Sequence, residues 1–206
     1  VVNASDRTII AHFLGTAANG IYSIANKFPN VFINFYNILN LSWTETVSLH
    51  FDDEDRDEFL TETMTSLFKL FAAACFGIVA CMPFVFPILI NEKYVAGYDQ
   101  ILILMYAMLF RVLVGLYSCI YVAQKNAKKI AYTSISAAII NITVNLILIN
   151  KIKIFAASIS TLVAFFSMFI IRYIDVNKTV HMRIRKPIII GSILIGTMLI
   201  GTYYCE

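Results

Sequence analysis

Residues Ile21 to Trp43 read IYSIANKFPNVFINFYNILNLSW, which is long enough for one helix and has two different faces. At about 100° per residue, one arc carries apolar side chains and the opposite arc carries carboxamides and a lysine. The apolar arc consists of Ile21, Ile24, Phe28, Phe32, Phe35, Leu39 and Trp43, and the polar arc of Tyr22, Asn26, Lys27, Asn30, Asn34, Asn37 and Asn40. Because unpaired polar groups in hydrocarbon are costly, a membrane helix of this kind should turn its polar arc to a wet cavity or a bundle interior.

The composition of the whole chain indicates an integral membrane protein. Of its 206 residues, 59% are hydrophobic and only 14% are charged, whereas a soluble domain has about 25% charged residues. The chain starts at Val1 within an apolar segment, so we expect residues 1–206 to be a fragment of a larger protein.

The apolar runs predict an all-α, polytopic transmembrane helix bundle. We expect about six complete spans and one partial span. The partial span covers about 1–14, and the complete spans cover about 18–44, 64–90, 98–123, 129–149, 154–172 and 187–204.

Basic residues in the connections predict the orientation of these spans, because Lys and Arg are enriched on the cytoplasmic side. If the connections alternate between two sides, one side contains many more basic residues than the other. The richer side contains Arg56, Lys69, Lys125, Lys128, Lys129, Arg172, Lys178, Arg183, Arg185 and Lys186, and the other contains Arg7, Lys93, Lys151 and Lys153. We therefore expect the richer side in the cytoplasm.

Arg111 is unusual because the stretch from Ile101 to Val122 contains no other charge. A guanidinium in the middle of a span costs at least about 2.5–3.5 kcal/mol unless it is paired or hydrated. Two interpretations stay open. Arg111 forms an ion pair with an acid such as Glu45 or Asp6, or it binds an anion in a cavity, for which phosphate is suitable.

The candidate residues of a substrate-binding cavity are Asn26, Lys27, Asn30, Asn34, Asn37 and Arg111. For the asparagines the alternative is hydrogen bonding between helices, and for Lys27 it is a side chain that extends to the membrane interface. For Asn141 and Asn145, one turn apart in a later span, helix packing is the favoured interpretation. Ala156, Ser160 and Ala164 likewise predict a packing face.

The sequence contains none of the common catalytic motifs, so we expect neither an enzyme nor a cofactor or metal site. We expect no nucleic-acid partner either. A membrane enzyme of polysaccharide assembly, such as a polymerase or transferase, stays an alternative, although such an enzyme would be expected to have large loops with clustered catalytic residues. A purely structural membrane subunit is another alternative, and it predicts that the asparagine row is buried against a neighbouring helix.

Two patches resemble the bacterial polysaccharide (O-antigen type) flippases of the multidrug/oligosaccharidyl-lipid/polysaccharide exporter superfamily. The first contains Asp6-Arg7, Phe13-Leu14-Gly15 and the stretch GIYSIANK from Gly20 to Lys27. The second contains Ala123-Gln124-Lys125, Asn141, Asn145 and Ala156-Ala157-Ser158. The resemblance extends from about Asp6 to Tyr173. The sequence departs from the family pattern at Lys151-Ile152-Lys153, where the family commonly has a glycine before the Ala-Ala pair.

The resemblance implies that residues 1–206 are the C-terminal transmembrane bundle of a larger transporter. That bundle would be one lobe of a two-lobed, MATE-like protein in the bacterial inner (plasma) membrane. Such a protein flips a polyprenyl-pyrophosphate-linked oligosaccharide by alternating access, for lipopolysaccharide O-antigen or a similar surface polysaccharide. The partners that it implies are the lipid-linked oligosaccharide, membrane lipid, a polysaccharide polymerase and glycosyltransferases. The nearest alternative is a multidrug/cation antiporter of the same superfamily. An antiporter should contain buried acids, and among the complete predicted spans we find only Glu45, at a helix end.

Overall fold

The computed structural model describes residues 2–182 and 184–204, and its regular secondary structure is helical throughout this part of the chain. The all-α prediction is therefore confirmed. The helices are α1 (Val2–Ala25), α2 (Lys27–Leu49), α3 (Arg56–Leu89), α4 (Tyr98–Ala123), α5 (Ala127–Ile152), α6 (Phe155–Val176) and α7 (Lys186–Tyr204), and a short 3₁₀ helix (Glu92–Gly97) precedes α4.

The predicted span 18–44 is divided between α1 and α2. Helical geometry is lost at Gly15, where φ is 84° and ψ is 175°, a backbone conformation that glycine adopts at little cost. The predicted end of the first span at residue 14 and start of the second at residue 18 therefore correspond to a kink at Gly15 within α1. A second interruption occurs at Asn26, because Pro29 has no N–H group to donate to the carbonyl of Ala25, four residues earlier.

Four helical segments are long and apolar enough to cross a membrane, which indicates a membrane protein. They are Arg56–Leu89, Glu92–Ala123, Ala127–Ile152 and Phe155–Val176. Pro187–Tyr203 is apolar but shorter, and α1 and α2 do not belong to this set. The total of six complete spans stays a prediction.

Helix α4 lies at the centre of the bundle and packs mainly against α6 and α2. Helix α6 also packs along α5, and α1 lies against α5. The small residues Ala156, Ser160 and Ala164 of α6 are fully buried, which confirms the predicted packing face, because small side chains let helix backbones approach closely.

Three connections of the bundle lie at the same end. Arg185, just before α7, forms an ion pair with Glu62 of α3 at 2.6 Å. Lys129 of α5 forms another with Asp175 of α6, also at 2.6 Å. These contacts bring the α2–α3, α4–α5 and α6–α7 connections together, as the alternation of spans predicts.

The structure corrects the position of Arg172. The sequence pattern assigned it to the basic end of a span, but α6 continues to Val176, and the Arg172 side chain lies inside the bundle with 2% of its surface exposed. Arg183, from the same set, lies outside the described residues.

Candidate transport site

The outer side of α2 carries most of the candidate asparagines. Lys27, Asn34 and Asn37 are exposed and Asn30 is half-buried, so none of these four is sealed against another helix in the part of the chain that the structure describes. Apolar side chains lie beside them on the same surface, namely Val31, Ile38 and Leu41. This side of α2 therefore exposes polar and apolar side chains together at the surface of the bundle.

The inner side of α2 holds the helix against α4. Phe32 and Trp43 of the predicted apolar arc are buried, whereas Phe35 of the same arc is 48% exposed. The Trp43 indole Nε1 donates to the carbonyl oxygen of Leu116 at 3.2 Å. These contacts fix which side of α2 faces outward.

Asn26 occupies a different environment from the other candidates. Only 2% of its surface is exposed, and its Nδ2 donates to the carbonyl oxygen of Tyr22 at 2.9 Å. The side chain therefore caps the last turn of α1 from inside the bundle. The structure thus separates Asn26 from the exposed row of Lys27, Asn34 and Asn37.

Arg111 is half-buried on α4, and its guanidinium carbon lies 5.8 Å from the centre of the Phe165 ring. The ion pairs found among the described residues involve other side chains. Glu45 is exposed on α2, and Asp6 is hydrogen-bonded within a separate cluster. Neither of the two suggested acids therefore pairs with Arg111, and its role as an anion site stays a prediction.

Asp6 is a functional candidate that the sequence analysis did not weigh as a buried acid. It is 0% exposed and accepts hydrogen bonds from Thr161 Oγ1 at 2.6 Å, Asn145 Nδ2 at 2.9 Å and Tyr22 Oη at 3.2 Å. Helices α1, α5 and α6 therefore meet around one carboxylate. The search of the sequence for buried acids covered only the complete predicted spans, and Asp6 belongs to the partial span 1–14.

Comparisons with protein-family models, curated proteins and solved structures found no match to this chain. The functional interpretation therefore depends on the residues described here and on the resemblance given above.

Asn141 and Asn145 connect helices, as the packing interpretation predicts. Both are fully buried. Asn141 Nδ2 donates to Ser160 Oγ at 3.2 Å, and Asn141 Oδ1 accepts from Ser5 Oγ at 3.2 Å. The predicted hydrogen bonding between spans is confirmed.

An apolar groove of about 520 Å³ lies between α3, α4, α6 and α7. Its walls are mainly aromatic and aliphatic, and they include Phe68, Phe76, Phe110, Phe166 and Ile193. Such a surface can accept a hydrocarbon chain but offers little to a sugar. Within the described residues, no group of three or more His, Cys, Asp or Glu side chains is arranged to hold a metal ion.

Proposed function

We propose that this chain is one bundle of a transporter that flips a polyprenyl-pyrophosphate-linked oligosaccharide across the bacterial inner membrane. The observation that carries the proposal is the exposed row of Lys27, Asn34 and Asn37 on α2, in a bundle with four helical segments apolar enough to cross a membrane. Sugars bind through hydrogen bonds, and carboxamides donate and accept them. A row of carboxamides facing a second bundle across a wet cavity would suit an oligosaccharide.

Two further features support the same substrate. Arg111 lies half-buried beside Phe165, and a guanidinium can bind a pyrophosphate oxygen pair in a bidentate manner. The apolar groove between α3, α4, α6 and α7 would suit the polyprenyl tail. Alternating access would then come from rocking of this bundle against a second one.

The proposal is tested by replacing Asn34 and Asn37 with leucine in the full-length protein, expressed in a strain that lacks its own copy. Surface polysaccharide should fall severalfold, because the cavity wall loses its hydrogen-bonding groups while the protein still inserts. Arg111→Ala should reduce it further. Export is measured as surface polysaccharide per amount of membrane-inserted protein.

The matched control is Ile38→Leu, which changes an exposed apolar residue on the same helix and should leave export unchanged. Normal export in both the asparagine double variant and Arg111→Ala would reject the flippase proposal. A purely structural subunit would also give normal export in both variants.

A second candidate function is a cation-coupled drug antiporter, and the buried Asp6 carboxylate favours it. This candidate predicts that deletion of the protein increases sensitivity to cationic drugs and leaves surface polysaccharide intact. The flippase proposal predicts the opposite pair of results.

A further inference from the structure

The apolar groove between α3, α4, α6 and α7 adjoins a small polar pocket. This pocket has a volume of about 150 Å³ and is lined by Glu62, Thr65, Ser66, Lys69 and Arg185. Phe68 and Ile184, which directly precede Lys69 and Arg185 in the chain, belong to the wall of the groove. The polar pocket, which we name the head pocket, therefore meets the groove both on α3 and at the start of α7.

The head pocket lies at the level expected for a lipid headgroup. Lys69 directly precedes residues 70–89 of α3, which carry no charge, and Arg185 comes just before the apolar segment Pro187–Tyr203. Basic side chains at such positions lie at the membrane interface, whereas the apolar runs that follow lie in hydrocarbon. The Arg185–Glu62 ion pair also places the pocket at the end of the bundle that is predicted to be cytoplasmic.

A second, independent observation concerns Thr65. Its side chain lines the head pocket, only 3% of its surface is exposed, and its Oγ1 has no hydrogen-bond partner. Buried polar atoms almost always have a partner, and a threonine hydroxyl can both donate and accept. One buried hydroxyl of the head pocket thus needs a ligand that carries oxygen atoms.

The formal charges of the head pocket leave one positive charge uncompensated. Glu62 accepts from Arg185 Nη2 at 2.6 Å, whereas Lys69 belongs to none of the ion pairs that the described residues form. A guanidinium also has further N–H groups beyond the one that Glu62 occupies. The pocket therefore matches a phosphodiester, which carries a single negative charge, better than a diphosphate, which carries more.

The groove itself is suited to a hydrocarbon chain. Its volume of about 520 Å³ is in the range of small-molecule sites. Tyr106 contributes a phenol to the wall, but its Oη donates to the Gly196 carbonyl oxygen at 2.8 Å. The hydroxyl of this ring is therefore already paired, and the groove offers an apolar surface that begins at the head pocket.

We propose that the groove and the head pocket together bind one anionic phospholipid. An acyl chain lies in the groove, and the phosphate contacts Lys69, Arg185 and the Thr65 hydroxyl. Basic pockets between transmembrane helices on the cytoplasmic side bind anionic headgroups in this way. Since α7 packs against α3 and α4, a lipid between these helices holds α7 on the bundle.

The phospholipid site does not depend on the flippase proposal, because lipid binding requires no transport. The groove would also suit a polyprenyl tail, so the two lipids would compete for it if the flippase proposal is correct. The headgroup that the head pocket prefers separates a resident phospholipid from the transport substrate.

The experiment measures lipid binding to the delipidated, purified full-length protein by native mass spectrometry, together with the thermal unfolding midpoint. The lipids compared are phosphatidylglycerol, phosphatidylethanolamine with the same acyl chains, and a polyprenyl diphosphate. Phosphatidylglycerol should bind at least about fivefold more tightly than phosphatidylethanolamine, because basic residues near the membrane surface attract anionic lipids. It should also raise the midpoint most, because a ligand that binds only the folded state stabilises it.

Substitutions at Lys69 and Thr65 test the head pocket. Lys69→Gln should weaken phosphatidylglycerol binding about fivefold and leave phosphatidylethanolamine binding unchanged. Its matched control is Lys128→Gln, which removes an exposed lysine at the same end of the bundle and should bind as the natural protein does. Thr65→Val should weaken phosphatidylglycerol binding severalfold, whereas Thr65→Ser keeps the hydroxyl and should retain most of it.

A substitution at Ile193 tests the groove. Ile193 lines the groove, and Ile193→Trp should weaken the binding of both phospholipids severalfold, because the larger ring occupies the space of the acyl chain. Ile190→Trp is the matched control. The two isoleucines are exposed to nearly the same extent, 58% and 57%, but Ile190 does not line the groove, so this variant should bind both lipids normally.

Three results would overturn the site. One is equal affinity of the natural protein for the two phospholipids. Another is an equal loss of phosphatidylglycerol binding in Lys69→Gln and Lys128→Gln, which would reduce the effect to the general charge of this end. The third is a polyprenyl diphosphate that binds more tightly than phosphatidylglycerol and loses this advantage in Lys69→Gln, which would assign the head pocket to the transport substrate. All three are binding results, so they are distinct from a loss of polysaccharide export.

Discussion

Arg172 shows how a guanidinium is accommodated inside this bundle without a carboxylate. Its Nε and Nη2 donate to Thr133 Oγ1 at 3.1 Å and 2.9 Å, and its Nη1 donates to the Val114 carbonyl oxygen at 3.1 Å and to Ser118 Oγ. The guanidinium carbon also lies 5.9 Å from the centre of the Tyr121 ring. Nη2 also donates to Ser134 Oγ at 3.4 Å. The planar guanidinium thus connects α4, α5 and α6 through five hydrogen bonds.

We expect Arg172→Met to lower the free energy of unfolding by about 1–3 kcal/mol, because it leaves hydroxyl and carbonyl groups unsatisfied in the interior. Arg172→Lys should lose nearly as much, since an ammonium cannot reproduce the planar set of donors. Denaturation in detergent measures the change. Arg7→Met, at an exposed residue, is the control, and an equal effect of the two Met substitutions would contradict the structural role of Arg172.

The sequence could not identify either buried charge. Arg172 ends an apolar run, and that pattern is the same for an interfacial side chain and for one that bends inward. Asp6 acquires its environment only from Asn145 and Thr161, more than a hundred residues away. Tertiary contacts of this kind leave no periodicity in the sequence. By contrast, the shared side of Lys27, Asn34 and Asn37 on α2 could be predicted, because helical spacing is local.

At the scale of elements, the close approach of Tyr36 on α2 to α4 depends on a single glycine, Gly115. A Cβ atom at Gly115 would overlap the Tyr36 hydroxyl and come within 2.7 Å of its Cζ. Tyr36 Oη in turn donates to Asn40 Oδ1 at 2.6 Å. The missing side chain therefore lets α2 lie close enough for this pair to form.

Gly115→Ala should destabilise the protein by about 1–3 kcal/mol, because the overlap forces α2 away from α4 or Tyr36 out of its rotamer. Gly77→Ala on α3 is the matched control: nothing lies within 4 Å of its added Cβ, and alanine favours the helix. The comparison is made by thermal unfolding in detergent. A Gly115→Ala protein as stable as Gly77→Ala would show that the helices are not in tight contact there.

Element bounds were predictable where charge or turn residues flank an apolar run. The predicted span 98–123 coincides with α4 (Tyr98–Ala123), because acidic and basic residues bracket it. The interruption at Asn26 also has a local cause in the sequence, because Pro29 cannot donate to the carbonyl of Ala25, about one turn earlier.

At the scale of the whole molecule, the ion pairs of the described residues gather at one end of the bundle. Arg56–Asp57, Lys129–Asp175 and Arg185–Glu62 all lie in or close to the α2–α3, α4–α5 and α6–α7 connections. The α5–α6 turn at the opposite end contains Lys151 and Lys153. Removal of the buried Arg172 from the count of basic residues leaves the excess at the first end, and the orientation stays a prediction.

This orientation predicts the results of reporter fusions in the full-length protein. Because basic connections stay in the cytoplasm, a fluorescent protein joined in the α4–α5 connection near Lys128 should be fluorescent. A periplasmic phosphatase joined in the α5–α6 turn near Lys153 should be active. Exchanging the two reporters is the control, and it should silence both. The reverse pattern would invert the bundle in the membrane. Thr161, which belongs to the Asp6 cluster, lies eleven residues or about 16 Å along α6 from Arg172. The cluster would then lie in the cytoplasmic half of the membrane.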